Sequence, residues 1–185
     1  MKIGIISDTH GSEMRWQLAY DKYLKGCDLI VHAGDVLYNG PRNPVLEDYN
    51  PGGLCARINS IPEPMVIAQG NCDSRVDASA LDVPSCLPIV FTDVKGVKIV
   101  ATHGDNLMTD SARNEFISKY KADITISGHT HVTVLEKRNG TTFVNPGSPS
   151  LSKREDGRST VAVYEDGTIR IYDIDTDEIL MQQEL

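Results

Sequence analysis

The amino-acid sequence predicts an α/β fold: two packed mixed β-sheets, a β-sandwich, flanked by helices. Three observations predict it. Short apolar runs alternate with helical stretches through the first part of the chain, in the β-α-β-α-β order that builds a parallel sheet. Two-residue turn signals then join alternating runs in the second half, as antiparallel hairpins require. Finally, short polar blocks rich in Asp, Asn and His stand directly after successive apolar runs.

The elements follow in order. "KIGIIS" is short and β-branched, suited to a buried strand. "EMRWQLAYDKYLKG" places Met14, Leu18 and Tyr23 at helical spacing, with Gly26 as the stop. "DLIVHAGD" and "PMVIAQGN" read as two more buried strands, separated by a helical "GGLCARIN". Beyond them "IVFTDVKGVKIVATHG" reads as a hairpin through Lys95-Gly96. "SARNEFISKY" is a helix leading into the strand "DITIS". Asn139-Gly140 and Asp166-Gly167 mark two further hairpins, and the acidic tail "DIDTDEILMQQEL" reads as a last strand. The expected arrangement has a mainly parallel half and a more antiparallel half.

Composition bounds the function. At 185 residues, with 40% hydrophobic and 24% charged, the chain reads as one globular domain spanning 1–185. No apolar run approaches the ~18 residues of a membrane helix, and Met1-Lys2 runs into "IGIIS" without a secretory pattern. Cys27, Cys55, Cys72 and Cys86 are scattered without a C-x-x-C pair, which predicts reduced thiols and a cytoplasmic location. The net charge of −8 disfavours extended nucleic acid but leaves room for a small anion, provided bound cations reverse the local field. Symmetric self-association into a homo-oligomer is the ordinary expectation for a small enzyme.

The polar blocks carry the chemistry. "SDTHG" offers Asp8 and His10, "HAGDV" offers Asp35, and "QGNCD" offers Asn71, Cys72 and Asp73. "IVATHGD" offers His103, and "ITISGHTH" offers His129 and His131. Any one of these is an ordinary turn or capping residue; together they follow predicted strands, and α/β sheets bind ligands beyond the carboxyl ends of their strands. Imidazole nitrogens with carboxylate oxygens suit Mn, Fe, Zn, Co or Ni, and the set is too large for one tetrahedral zinc. It divides between two ions ~3.5–4 Å apart with one carboxylate bridging. Two divalent cations less two carboxylates and a hydroxide leave about one positive unit, matched to a phosphodiester monoanion.

The ordered set D-x-H, G-D, G-N-C-D, T-H-G and G-H-T-H resembles the calcineurin-like metallophosphoesterases. "GDVLYNGPRNP", "GNCDSRVD" and "NPGSPSLSK" resemble the bacterial YfcE-type phosphodiesterases within that family. The resemblance implies a β-sandwich flanked by helices. It implies that Asp8, His10 and His131 hold one metal, Asn71, His103 and His129 the other, and that Asp35 bridges. It implies two divalent ions, Mn foremost, and in-line attack of a metal-bound hydroxide on a small phosphodiester.

Asn71 could also orient a phosphate oxygen through its amide. Many family members carry histidine where this chain has Cys72. A free thiol titrates near ~8.5, so Cys72 is a poor donor to a leaving group, which favours diesters over monoesters; an inert Cys72 is an equal reading. Arg42, in "NGPRNP", either clamps substrate phosphate or pairs with Glu47 or Asp48. His32 reads as a core or supporting residue outside the metal set, and Asn145 and Ser148 as turn stabilisers. The competing functions are a phosphomonoesterase, a nuclease, or a non-catalytic interaction scaffold like the retromer subunit of this fold.

Overall fold

The structure, a computed structural model, describes every residue except Cys86, so the reduced-thiol expectation for that position lies outside the described residues. Strand β1 (Lys2–Ile6) leads to helix α1 (Glu13–Ala19), which widens into one π-helical turn at Tyr20–Leu24. Then come β2 (Leu29–His32), α2 (Pro51–Ser60), β3 (Met65–Ile67) and the short α3 (Arg75–Ala80). A hairpin of β4 (Ile89–Val94) and β5 (Val97–Thr102) is followed by α4 (Asp110–Tyr120) and β6 (Ile124–Ile126). The chain ends in β7 (Val134–Arg138), β8 (Thr141–Asn145), β9 (Thr160–Glu165), β10 (Thr168–Asp173) and β11 (Ile179–Glu184). No helix among the described residues is long and apolar enough to cross a membrane.

The strands form two mixed sheets, ordered β11-β10-β9-β1-β2-β3 and β4-β5-β6-β8-β7. In the first, β1, β2 and β3 are parallel and β9 runs antiparallel along the other side of β1. In the second, β5, β6 and β8 are parallel, with β4 and β7 antiparallel at the edges. Parallel and antiparallel pairing are therefore mixed within each sheet instead of divided between the halves of the chain. The reason is the exposed edge of β1: the C-terminal meander returns across the molecule to pair with it, which satisfies its backbone groups.

Ile3, Ile5, Val31, Ile99, Ile124, Ile126 and Ile169 fill the layer between the sheets. On the outer side of the first sheet Ile6 and Ile30 pack with Trp16, Leu24, Leu54 and Ile58 from the helical layer. Because β1 is buried on both faces, its sequence is a continuous apolar run and not an alternating one. The apolar face of α1 differs from the one its spacing suggested. Met14 is 68% exposed, whereas Trp16 and Ala19 face the sheet, and Tyr20, Leu24 and the expected Tyr23 of the π turn are buried with them. Helix α3 escaped the sequence reading, although Ser74 and Asp77 form a capping box at its start.

Candidate metal centre

Asp8 follows β1, Asp35 follows β2, Asn71 follows β3, His103 follows β5, and His129 and His131 follow β6. All five strands are parallel members of their sheets, so their carboxyl ends open onto one place. The seven side chains come together there. His131 Nε2 lies 3.3 Å from Asp8 Oδ1, and His10 Nε2 lies 3.8 Å from that oxygen and 3.7 Å from Asp35 Oδ2. On the other side His103 Nε2 lies 3.4 Å from Asp35 Oδ2 and 3.0 Å from Asn71 Oδ1. His129 Nδ1 completes that half, 2.8 Å from Asn71 Oδ1 and 3.2 Å from His103 Nε2. Asp35 Oδ2 thus faces both halves.

The tautomers follow from the backbone. His10 Nδ1 donates to the Tyr38 carbonyl at 2.9 Å, His103 Nδ1 to Ala33 at 2.8 Å, and His131 Nδ1 to Leu151 at 2.5 Å. A carbonyl oxygen only accepts, so each Nδ1 carries a proton and each Nε2 is turned to the site. The consequence is a cluster of acceptors. His10 Nε2 and His131 Nε2 stand 3.2 Å apart with no donor between them, and buried Asp8 Oδ1 has no hydrogen-bond partner. Orphaned buried acceptors are rare and costly, and a cation satisfies all of them at once. Three groups of ligand atoms lie within 4.8 Å of one another: Asp8, His10 and His131; Asp8, Asp35 and His103; and His10, Asp35 and Cys72. The donors fit divalent metals.

The charges agree. Burial alone would raise the Asp35 carboxyl, but the His103 imidazole and the Cys72 amide, donating to Oδ1 at 2.8 Å, hold it well below the usual carboxylate range. Burial alone would lower His103; its contact with Asp35 and the charge of Asp8 instead push it up to about 9. That position draws positive charge, as proton or as metal. Burial lowers His10 and His129, which leaves them neutral as ligands must be.

The loops that carry these donors are held by residues outside the set. Asp73, placed with the candidates by the sequence, accepts from the Asp35, Val36 and Gly70 amides at 2.9, 2.8 and 2.7 Å and so clamps two loops together. His32 Nδ1 accepts from the Gly34 amide and its Nε2–H donates to Thr9 Oγ1, whose hydroxyl donates to the Val36 carbonyl. It ties the β1 loop to the β2 loop and is fully buried, in agreement with a supporting role. Ser148 donates to the Asp8 carbonyl and Asn145 to the Gly128 carbonyl, both at 2.7 Å. Gly70 and Gly128 allow the closest approaches: a Cβ on Gly70 would collide with Asp35, and one on Gly128 with Ser7 and Asp8.

A cavity of about 640 Å³ opens over the donors, lined among others by Asp35, Asn71, His129, His131 and Arg42. Arg42 makes no ion pair among the described residues, so neither Glu47 nor Asp48 is its partner; Asp48 accepts from Ser12 instead. Lys153, which the sequence reading passed over, lines the same cavity, equally free of an ion pair. Its signal was its place at the end of "NPGSPSLSK", beside the Ser148 turn. Cys72 Sγ accepts from Asn71 Nδ2 at 3.3 Å, which turns Asn71 Oδ1 toward the histidines. Burial and the nearby Asp35 charge push the Cys72 thiol up to about 12.

Fold and donors are those of a metal-dependent phosphoesterase. Residues 1–167 match the calcineurin-like phosphoesterase superfamily domain, and the chain belongs to that family. It is 33% identical over 156 residues to the phosphodiesterase YfcE of Escherichia coli (strain K12), covering 83% of this chain and 82% of that protein. The solved structure of the E. coli phosphoesterase YfcE superposes with a TM-score of 0.84 at 28% identity, over 100% of this chain and 99% of that one. The probable metallophosphoesterase YsnB of Bacillus subtilis (strain 168) is 28% identical over 188 residues, 97% of this chain and 95% of that protein. Vps29 of Cryptosporidium parvum shares the fold, at a TM-score of 0.67 and 20% identity over 100% of this chain and 97% of that one.

Proposed function

We propose that the chain is a dinuclear-metal-dependent phosphodiesterase acting on small phosphodiesters. Asp8, His10 and His131 would hold one ion, Asn71, His103 and His129 the other, and Asp35 would bridge. The observation that carries this reading is the convergence of buried acceptors without donors, above all Asp8 Oδ1 and the facing Nε2 atoms of His10 and His131. Manganese is the leading metal, with Fe, Zn, Co and Ni as alternatives for the same nitrogen and oxygen donors.

Bound there, the ions would supply Lewis acidity to the phosphoryl oxygens and acidify water for attack on phosphorus. The chain's own residues do the rest. Arg42 and Lys153 bring positive charge to the cavity wall, where an anionic substrate enters. Cys72 keeps its proton at neutral pH and, with its pKa pushed far above the operating pH, is a poorer general acid toward a departing oxygen than a histidine would be. Diesters with good leaving groups are the substrates that this suits. A reduced, cytoplasmic setting stays part of the proposal, consistent with free thiols at Cys27, Cys55 and Cys72.

A non-catalytic scaffold is the second reading, raised by the Vps29 fold. One experiment separates them. Protein stripped with chelator should lose hydrolysis of bis(p-nitrophenyl) phosphate and regain it with Mn²⁺, at two ions per chain and with slower turnover of p-nitrophenyl phosphate. Two bound ions without hydrolysis would favour the scaffold, and a single bound ion would remove the dinuclear assignment.

A further inference from the structure

Beside the metal centre lies a second cavity of about 510 Å³, lined by Leu37, Tyr38, Tyr49, Val76 and Ala80 together with Cys72. Tyr38 and Cys72 also line the cavity over the donors, so the two spaces meet at these residues. Their characters differ. The cavity over the donors holds Arg42, Lys153 and Asp105. The second is walled by aliphatic and aromatic side chains, and its polar groups are engaged in holding helices: the Cys55 thiol donates to the Ala80 carbonyl at 3.2 Å, and Asp77 caps α3. Val76 and Tyr38 remain 73% and 45% exposed on its wall.

From this we infer that the apolar cavity is the subsite for a flat aromatic substituent of the diester, the one that stays on phosphorus. The inference rests on the phosphodiesterase reading above. A diester brings two organic groups to the metals, and they have opposite needs. The departing oxygen gathers negative charge and needs cations or donors around it, which the Arg42 and Lys153 side offers. The retained ester group changes no charge, so an apolar wall costs it nothing and rewards its burial. Tyr38 lines both cavities, so a group reaching from the donors past Tyr38 enters the apolar cavity. Cys72, at the border, still faces the polar cavity in which the departing oxygen lies. Tyr38 and Tyr49 bring aromatic side chains to the lining, which suits a planar occupant.

Gly52 supplies the test. It lines the cavity near the start of α2, and a Cβ there meets nothing within 4 Å, so Gly52→Phe adds bulk at the cavity wall without a backbone clash. The Mn²⁺-loaded enzyme is assayed with bis(p-nitrophenyl) phosphate and with methyl p-nitrophenyl phosphate, which share a leaving group and differ in the retained one. Gly52→Phe should lower kcat/KM about tenfold or more for the first and less than about twofold for the second, relative to wild type. Val76→Asp, on the exposed wall, should show the same selectivity. Equal losses on both substrates, or no loss on either, would overturn the subsite. If the wild type hydrolyses neither diester with Mn²⁺, the phosphodiesterase reading itself fails, and the subsite with it.

Discussion

At the hairpins, Lys95, Asn139 and Asp166 take φ of 51°, 53° and 45°, and glycine follows each of them. At the metal centre Asp8, His10, Asp35, His129 and His131 take φ of 57°, 45°, 57°, 69° and 58°. The backbone conformation is the same and its origin is not. A hairpin turn needs the left-handed region because it matches the twist of its strands, and its residues are solvated. Around the donors the conformation is imposed from outside. The Asp8 amide donates to the Gly34 carbonyl, that of His10 to Asp35, and that of His129 to the Asp8 carboxylate. Each such residue costs about 1–2 kcal/mol, and the rest of the fold holds them there so that their side chains converge. Strain gathered at one place by tertiary contacts marks a functional site; strain spread over turns does not.

Variants can break this comparison, beginning where most is at stake. Asp35→Asn removes the charge that faces both halves of the site and that is proposed to bridge them. Its hydrolysis of bis(p-nitrophenyl) phosphate should vanish, well beyond the ~10–100-fold loss typical of an orienting residue; undiminished turnover would refute the bridge. Gly128→Ala forces a methyl onto Ser7 and Asp8. It should cost about 1–3 kcal/mol in urea unfolding and weaken Mn²⁺ binding, and a variant with native affinity would show that the close approach is dispensable.

His32 tests the ties between loops through pH. Burial pushes it down to about 3, below the ~6.5 of an unfolded histidine, so the unfolded chain binds the extra proton between those values. Its contribution is fully present above pH ~6.5 and is lost as pH falls toward 3. Between pH 6 and 4 wild-type stability should therefore fall by up to about 1.4 kcal/mol per pH unit more than that of His32→Gln. Parallel slopes would sink the idea.

Cys72→His introduces a group that titrates near neutrality beside the donors. The ratio of monoester to diester hydrolysis should rise about tenfold if leaving-group protonation is limiting; an unchanged ratio argues that it is not. Gly140→Ala is the control from the other region. A Cβ there meets nothing within 4 Å, but φ is 81°. It should cost about 1 kcal/mol and leave metal binding and turnover intact.

What the sequence by itself determined was local. The Asn139-Gly140 and Asp166-Gly167 hairpins were legible because a two-residue turn is decided by its own dihedrals. The convergence of the seven candidate donors was legible because each follows a strand signal, and a strand signal needs only a few neighbouring residues. What tertiary structure alone decided was partnership. Whether Met14 or Trp16 faced inward depended on which side of α1 the sheet covered, and β9 was free to pair anywhere until β1 offered an open edge. The tautomers of His10, His103 and His131 rest on the carbonyls of Tyr38, Ala33 and Leu151, and a backbone carbonyl is the same in every residue. No side-chain pattern can announce such a partner, because it is the chain's path in space that brings it within reach.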